Sequence, residues 1–210
     1  MCWVAFDRAV AIAEQLAFDC PIERWRALRD EIHDQVCAQA FNAELGAFTQ
    51  TYGSSDLDAA VLMIPLVGFL PATDPRVAST IEVIRRDVSA GGLTSDGLVM
   101  RYIPTRESLD GIGEREGVFL PCSFWLVEAL ALAGKLEDAQ ALFERLLGIA
   151  NDVGLYAEEY DPAAPRLLGN FPQAFTHLAL VAAAHTLEPE AFEMRHRRRD
   201  RTDDSVRPSA

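Results

Sequence analysis

The sequence predicts an all-α fold of about seven helices arranged as helical hairpins. Three observations carry this. Apolar residues recur at spacings of three and four over most of the chain, extended alternation is scarce, and strongly apolar helices alternate with amphipathic ones. Half of the 210 residues are hydrophobic and mean hydropathy is +0.04, so a sizeable core is available and most of the chain is not expected to be disordered.

The helices follow in order. Over 3–17, Trp3, Phe6, Val10, Ala13 and Leu16 form one stripe. Over 22–40 the stripe is Ile22, Trp25, Leu28, Ile32 and Val36, with Pro21 at its front. Further helices are expected over Asp56–Leu66, over Asp74–Ala90 with Asp74 as cap and Pro75 in the first turn, and over Pro121–Ala133, Leu136–Ile149 and Pro172–Thr186. The joints repeat. Gly46-Ala47-Phe48, Gly117-Val118-Phe119 and Gly169-Asn170-Phe171 each lead into an apolar helix, with more polar helices such as 135–150 between. A helix apolar nearly all round has to be covered on most sides, which suggests an inner layer of apolar helices and an outer amphipathic one. Two concentric rings fit this pattern, and so does a superhelical solenoid.

Composition excludes several function classes. A net charge of −13 argues against a nucleic-acid partner, which needs a basic face. The basic run at 195–201 is expected to be a solvated, disordered Arg-rich tail, residues 188–210. No membrane partner is expected, since the apolar run Val61–Leu70 is interrupted by Pro65 and Gly68. The first residues carry neither a basic leader nor a small-residue cleavage site and so do not read as a secretory signal, and the cysteine usage makes a reducing cytoplasm the simplest reading. Cys2, Cys20, Cys37 and Cys122 show neither a CxxC nor a metal-ligand spacing, and Cys2 and Cys122 are expected to act as small buried hydrophobes. No cofactor and no metal site is expected.

The loops before the apolar helices concentrate aromatics, carboxylates, amides and arginines. They hold Phe48, Gln50 and Tyr52; Arg101, Tyr102 and Arg106; Glu114, Arg115, Glu116 and Phe119; Tyr156, Glu158, Glu159, Tyr160 and Asp161; Asn170 and Gln173. Such a set suits a polyhydroxylated ligand, whose ring faces stack and whose hydroxyls hydrogen-bond. Several of these residues have plainer roles open to them. Gln50 and Gln173 are expected to bond helix starts, Asp58 to cap a helix, Arg101 to compete for Glu107 or Asp110, and His177 to be a hydrogen-bonded core histidine.

The segments 54–77 (SSDLDAAVLMIPLVGFLPATDPRV), 116–139 (EGVFLPCSFWLVEALALAGKLEDA), 154–162 (GLYAEEYDP) and 169–180 (GNFPQAFTHLAL) resemble the bacterial branch of glycoside hydrolase family 15. The likeness covers residues 1–187. It implies an (α/α)6 toroid, here incomplete, corresponding to the C-terminal part of the catalytic domain, and an enzyme that hydrolyses α-glucosidic bonds with inversion. Inversion uses a general acid and a general base about 6.5–9.5 Å apart, with water between base and sugar. The resemblance makes Glu158 the general base, with its neighbour Glu159 competing for that role, and places Arg101, Tyr102, Phe119, Glu159 and Tyr160 around the substrate. It puts the general acid in a Trp-Glu loop upstream of the helix beginning Met1-Cys2-Trp3, so Met1 is expected to be an internal methionine of a longer enzyme and these residues to be weakly active or inactive alone. Glucoamylase-like exo-hydrolysis of α-glucans is the first expectation, α,α-trehalase the second, and a non-catalytic helical sugar-binding or scaffold protein the third. The substrate would be an oligosaccharide or disaccharide. A toroid open at one side would expose apolar helix flanks, from which self-association is expected.

Overall fold

The computed structural model describes residues 1–17, 19–103 and 116–188. The chain divides into two compact units, Met1–Glu114 and Arg115–Ala210. The all-α expectation holds. Among the described residues there are seven α-helices, supplemented by short antiparallel ladders that sequence periodicity did not reveal.

In the first unit α1 (Cys2–Leu16) packs against α2 (Ile22–Gln39). Val10 and Ala13 are buried as the stripe requires, whereas Leu16 is exposed and no residue of α2 is fully buried. Trp3 meets Phe69 edge-on at 5.1 Å, and Phe69 lies 4.7 Å from the His33 ring. Cys2 departs from expectation: it is exposed on the first turn of α1, off the buried stripe, while Cys122 is buried.

A hairpin of β1 (Phe41–Asn42) and β2 (Ala47–Phe48) follows, its turn made by Gly46 at φ 73° and by Asn42 Oδ1, which accepts from the Glu44 and Leu45 N–H groups at 3.0 Å each. The expected helix over Asp56–Leu66 is shorter. Asp58 captures the Ala60 N–H at 2.7 Å, starting a 3-10 turn over Ala59–Leu62 that runs into α3 (Met63–Leu66). Pro65, which has no N–H to donate, sits in the first turn of α3, where a backbone donor has no partner within the helix. The helix expected over Asp74–Ala90 is α4 (Pro75–Arg85), capped by Asp74 as predicted. It stops because Arg86 is extended (φ −65°, ψ 149°) and Asp87 caps a separate 3-10 turn, Val88–Ala90. Gly92 is needed just beyond, since a Cβ there would stand 2.0 Å from the Arg86 carbonyl oxygen. A second hairpin, β3 (Thr94–Ser95) with β4 (Leu98–Val99), leads to Arg101.

The second unit opens with β5 (Val118–Phe119), which runs into α5 (Leu120–Leu132). Every residue of α5 except Trp125 is buried, between α6 (Leu136–Leu147) and α7 (Ala174–Leu187). This is the apolar inner helix with an amphipathic neighbour that alternation implied, for α6 buries only Ala139 and Leu146. Helix α7 differs. It is apolar on all sides, yet only Thr176, Ala179, Ala183 and Thr186 are buried, and Phe175, Leu178 and Val181 are exposed. It begins at Ala174 rather than Pro172, with Gln173 as its cap. Between α6 and α7, β6 (Glu159–Asp161) and β7 (Arg166–Leu168) complete a three-stranded sheet in the order β5-β6-β7. No helix among the described residues is long and apolar enough to cross a membrane. The basic run at 195–201 lies outside the described residues, as do residues 189–210 as a whole.

Candidate active site

In the second unit the segment 151–158 carries the principal candidate. Asn151 Oδ1 accepts from the Val153 and Leu155 N–H groups at 3.1 and 2.8 Å, closing the turn after α6. Tyr156 then turns into the core. Its ring packs edge-on to Phe124 at 5.8 Å, and its hydroxyl donates to the Leu146 carbonyl at 3.2 Å. Burial raises the Tyr156 phenol above its ordinary pKa, so the buried group stays neutral and serves as an anchor.

That anchor sets Glu158, whose backbone is held on both sides. Its N–H donates to the Asn170 carbonyl at 3.0 Å, and its carbonyl accepts from the Leu120 N–H at 3.1 Å. These bonds continue the ladder one residue beyond β6. Glu158 Oε2 accepts from the Asn170 N–H at 3.3 Å, and the side chain is neither buried nor fully exposed. It lies over Gly169, where a Cβ would meet Glu158 Oε2 at 3.0 Å and Glu158 Cβ at 3.1 Å. Gly169 also has φ 74°, so both space and backbone call for glycine.

Glu159 differs from its neighbour. Successive strand residues face opposite ways, so Glu158 and Glu159 look to opposite sides of the sheet. Glu159 Oε2 accepts from the Gly117 N–H at 3.0 Å, tying β6 to the residue before β5. Burial raises its pKa; the Gly117 bond opposes this, and Glu116 and Glu158 add to the rise. Tyr160 is opposed by Val118 and Leu167 and shares the Glu158 side, whereas Phe119 is opposed by Glu159. Asp161 Oδ1 accepts from the Ala163 and Ala164 N–H groups at 3.0 and 3.2 Å, a turn-forming role. Phe119 sits 6.3 Å from Phe175, which in turn meets Trp125 edge-on at 5.6 Å. Trp125 and Phe175 did not emerge from the sequence as site candidates, because both lie inside helices whose apolar character reads as core.

Arg101 and Tyr102 belong to the first unit. The Arg101 carbonyl accepts from the Ala59 N–H at 2.8 Å, Tyr102 pairs with Asp58, and the exposed Arg101 guanidinium stands 6.0 Å from the Tyr102 ring. Asp58 is a helix cap as expected, and its other oxygen lies 3.5 Å from Gln50 Nε2. Gln50 therefore bonds a cap rather than a helix start. Both line a cavity of about 260 Å³ walled mainly by Val36, Phe48, Val61 and Ile64. Gln173 does bond a helix start, its Oε1 accepting from the Phe175 N–H at 3.3 Å. Arg106, Glu107, Asp110, Glu114 and Arg115 lie outside the described residues.

The family model described as Glycosyl hydrolases family 15 matches residues 1–185. The chain belongs to that family. Among its curated relatives, a trehalase of Mycobacterium tuberculosis is 47% identical over 191 residues, covering 90% of this chain and 27% of that protein. A trehalase of Mycolicibacterium smegmatis is 47% identical over 90% of this chain and 28% of its own length, and one of Thermoplasma volcanium is 39% identical over 90% and 29%. The family-15 chain thus spans under a third of the length of these relatives. Among solved structures, a glycosidase variant in complex with glucose superposes with a TM-score of 0.68 at 20% identity, over 85% of this chain and 48% of that one. A wild-type glycosidase gives 0.65 at 20% identity, over 80% and 46%. These similarities confirm the helical fold of (α/α)6 type.

Proposed function

We propose that this chain takes part in the hydrolysis of α,α-trehalose by inversion, with Glu158 as general base. The observation that carries the assignment is the contrast between neighbouring carboxylates. Glu158 is held at its backbone from both sides and keeps a partly open carboxylate, whereas the Glu159 carboxylate is committed to the Gly117 N–H. A base needs a fixed position and an ionised oxygen able to take a proton from water. Tyr160, on the Glu158 side of the sheet, is proposed to face substrate, whereas Phe119 and Glu159 look to the other side and Glu159 acts through the β5–β6 tie. Arg101 and Tyr102 are proposed as substrate contacts on the family resemblance alone. Trehalose replaces α-glucan as the first substrate because the relatives at 39–47% identity are trehalases. The glucoamylase-type reading has no comparable support.

Inversion has a stereochemical signature. Water attacks one anomeric carbon of trehalose from the face opposite the leaving oxygen, so that glucose leaves as the β anomer and its partner as the α anomer. The proton donor is a second carboxylate about 6.5–9.5 Å from the base. Glu158 supplies the base alone, and general-base assistance is worth about 10²–10⁴-fold. The 210-residue chain is therefore expected to turn over trehalose slowly or not at all while still binding it. Calorimetric titration with trehalose, maltose and isomaltose, with glucose release followed in the same samples, tests this. Any turnover should favour trehalose, give equal α- and β-glucose by proton NMR, and fall about 10²–10⁴-fold in Glu158→Gln. Undiminished turnover in that variant would remove Glu158 from the reaction. Robust turnover abolished by Glu158→Gln would show that the chain also carries its own proton donor.

A further inference from the structure

His177, in the first turns of α7, takes no part in the chemistry proposed above, yet both of its ring nitrogens are engaged. Nδ1 lies 2.7 Å from the Gln173 carbonyl oxygen, and Nε2 lies 3.3 Å from the Tyr156 backbone nitrogen. A carbonyl oxygen only accepts, so Nδ1 carries the hydrogen; a backbone N–H only donates, so Nε2 offers a lone pair. The two partners together select one neutral tautomer of the ring. The Tyr156 ring meets the imidazole edge-on at 5.6 Å, which limits its freedom to rotate.

What His177 grips is the backbone two residues before Glu158. Neighbouring groups of α7 hold the next atoms along. The Gln173 N–H donates to the Tyr156 carbonyl at 2.9 Å, and the buried Thr176 hydroxyl donates to the Ala157 carbonyl at 2.9 Å. The first turns of α7 thus bind Tyr156 N–H, Tyr156 C=O and Ala157 C=O in succession. Both carbonyl bonds could be made by any suitably placed donor. The Tyr156 N–H is different, because it requires an acceptor on a helix side chain, and His177 supplies it.

We propose that His177 is a positioning residue for Glu158, fixing the approach of the 156–158 backbone through the Nε2 lone pair that receives the Tyr156 N–H. Its catalytic consequence rests on Glu158 being the base; its structural part does not. The test is NMR of the full 15N-labelled chain. The ring nitrogen shifts should report the Nδ1–H tautomer, and a scalar coupling across the hydrogen bond should link the Tyr156 nitrogen to His177 Nε2. His177→Phe fills the ring space without an acceptor. It should speed hydrogen exchange at the Tyr156 amide about fivefold to tenfold, as for loss of one neutral hydrogen bond, and shift the Asn170 amide that contacts the Glu158 carboxylate. His177→Gln places an acceptor near the Nε2 position and should restore both signals in part, which a purely space-filling role for His177 would not produce. An Nε2–H tautomer in the wild type, or unmoved Tyr156 and Asn170 resonances in His177→Phe, overturns the proposal; the wild-type tautomer decides even where the Phe variant does not fold. If the coupling is present and Glu158→Gln retains turnover, positioning stands and the catalytic reading fails. If the coupling is absent and Glu158→Gln loses turnover that the wild type shows, the reverse holds.

Discussion

Two adjacent glutamates, alike in sequence, are separated by the pleat. Glu158 rests over Gly169 with its carboxylate beside the Asn170 N–H, while Glu159 turns the other way to the Gly117 N–H. Burial and neighbouring charge raise the Glu159 pKa, so the folded chain holds that proton more tightly than the unfolded chain does. Its contribution to stability is therefore present at low pH and is lost as pH rises from the ordinary carboxylate range through the folded value. Glu159→Gln keeps an acceptor for Gly117 and cannot ionise. It should be more stable than wild type near pH 7, by less than about 1 kcal/mol because the carboxylate is partly solvated. Urea melts between about pH 4 and pH 8 should show this gap closing toward acid, and a gap that widens toward acid would contradict the assigned shift.

At the scale of elements, the caps decide where helices start, and much of that is readable. Asp74 accepts from the Arg76 N–H at 2.9 Å, and its other oxygen pairs with the Arg76 guanidinium at 2.8 Å. The Arg76 hydrogen bond holds the Asp74 carboxyl below its ordinary pKa, and Arg76 itself is raised. Asp74→Ala should cost about 1–2 kcal/mol in chemical denaturation, and Asp74→Asn less, since Asn still caps. Because the folded pKa is lowered, the wild-type advantage over Asn is present above the ordinary carboxylate range. It should fade as pH falls through the folded value. Where helices stop was harder to read. The end of α4 at Arg85 depends on the Arg86 carbonyl folding back toward Gly92, a contact between backbones that no side-chain periodicity encodes. Strands of two or three residues are likewise too short for alternation to register.

Across the whole molecule, helix α7 leaves apolar surface uncovered. Phe175 is 44% exposed, Leu178 68% and Val181 65%, at helical spacings along one face. Adjacent exposed apolar side chains favour association, while a net charge of −13 opposes it. Concentration-dependent self-association is expected, visible by size-exclusion chromatography with light scattering and reduced by combining Leu178→Lys with Val181→Lys. A wild-type chain that stays monomeric at all concentrations would count against it.

The amino-acid sequence by itself determined the helical class, the alternation of apolar and amphipathic helices, the Asp74-Pro75 start and the YAEEYD segment, because each is written in local spacing or residue type. Tertiary structure decided what depends on residues distant in sequence. It distinguished Glu158 from Glu159 through the ladder to Asn170, Leu120 and Gly117. It chose the partners of the hydrogen-bonded histidine that the sequence led one to expect, joining His177 to the Tyr156 backbone 21 residues away. It also left one face of α7 bare, where composition alone had implied cover. Periodicity reports how apolar a helix is; only packing reports what lies against it.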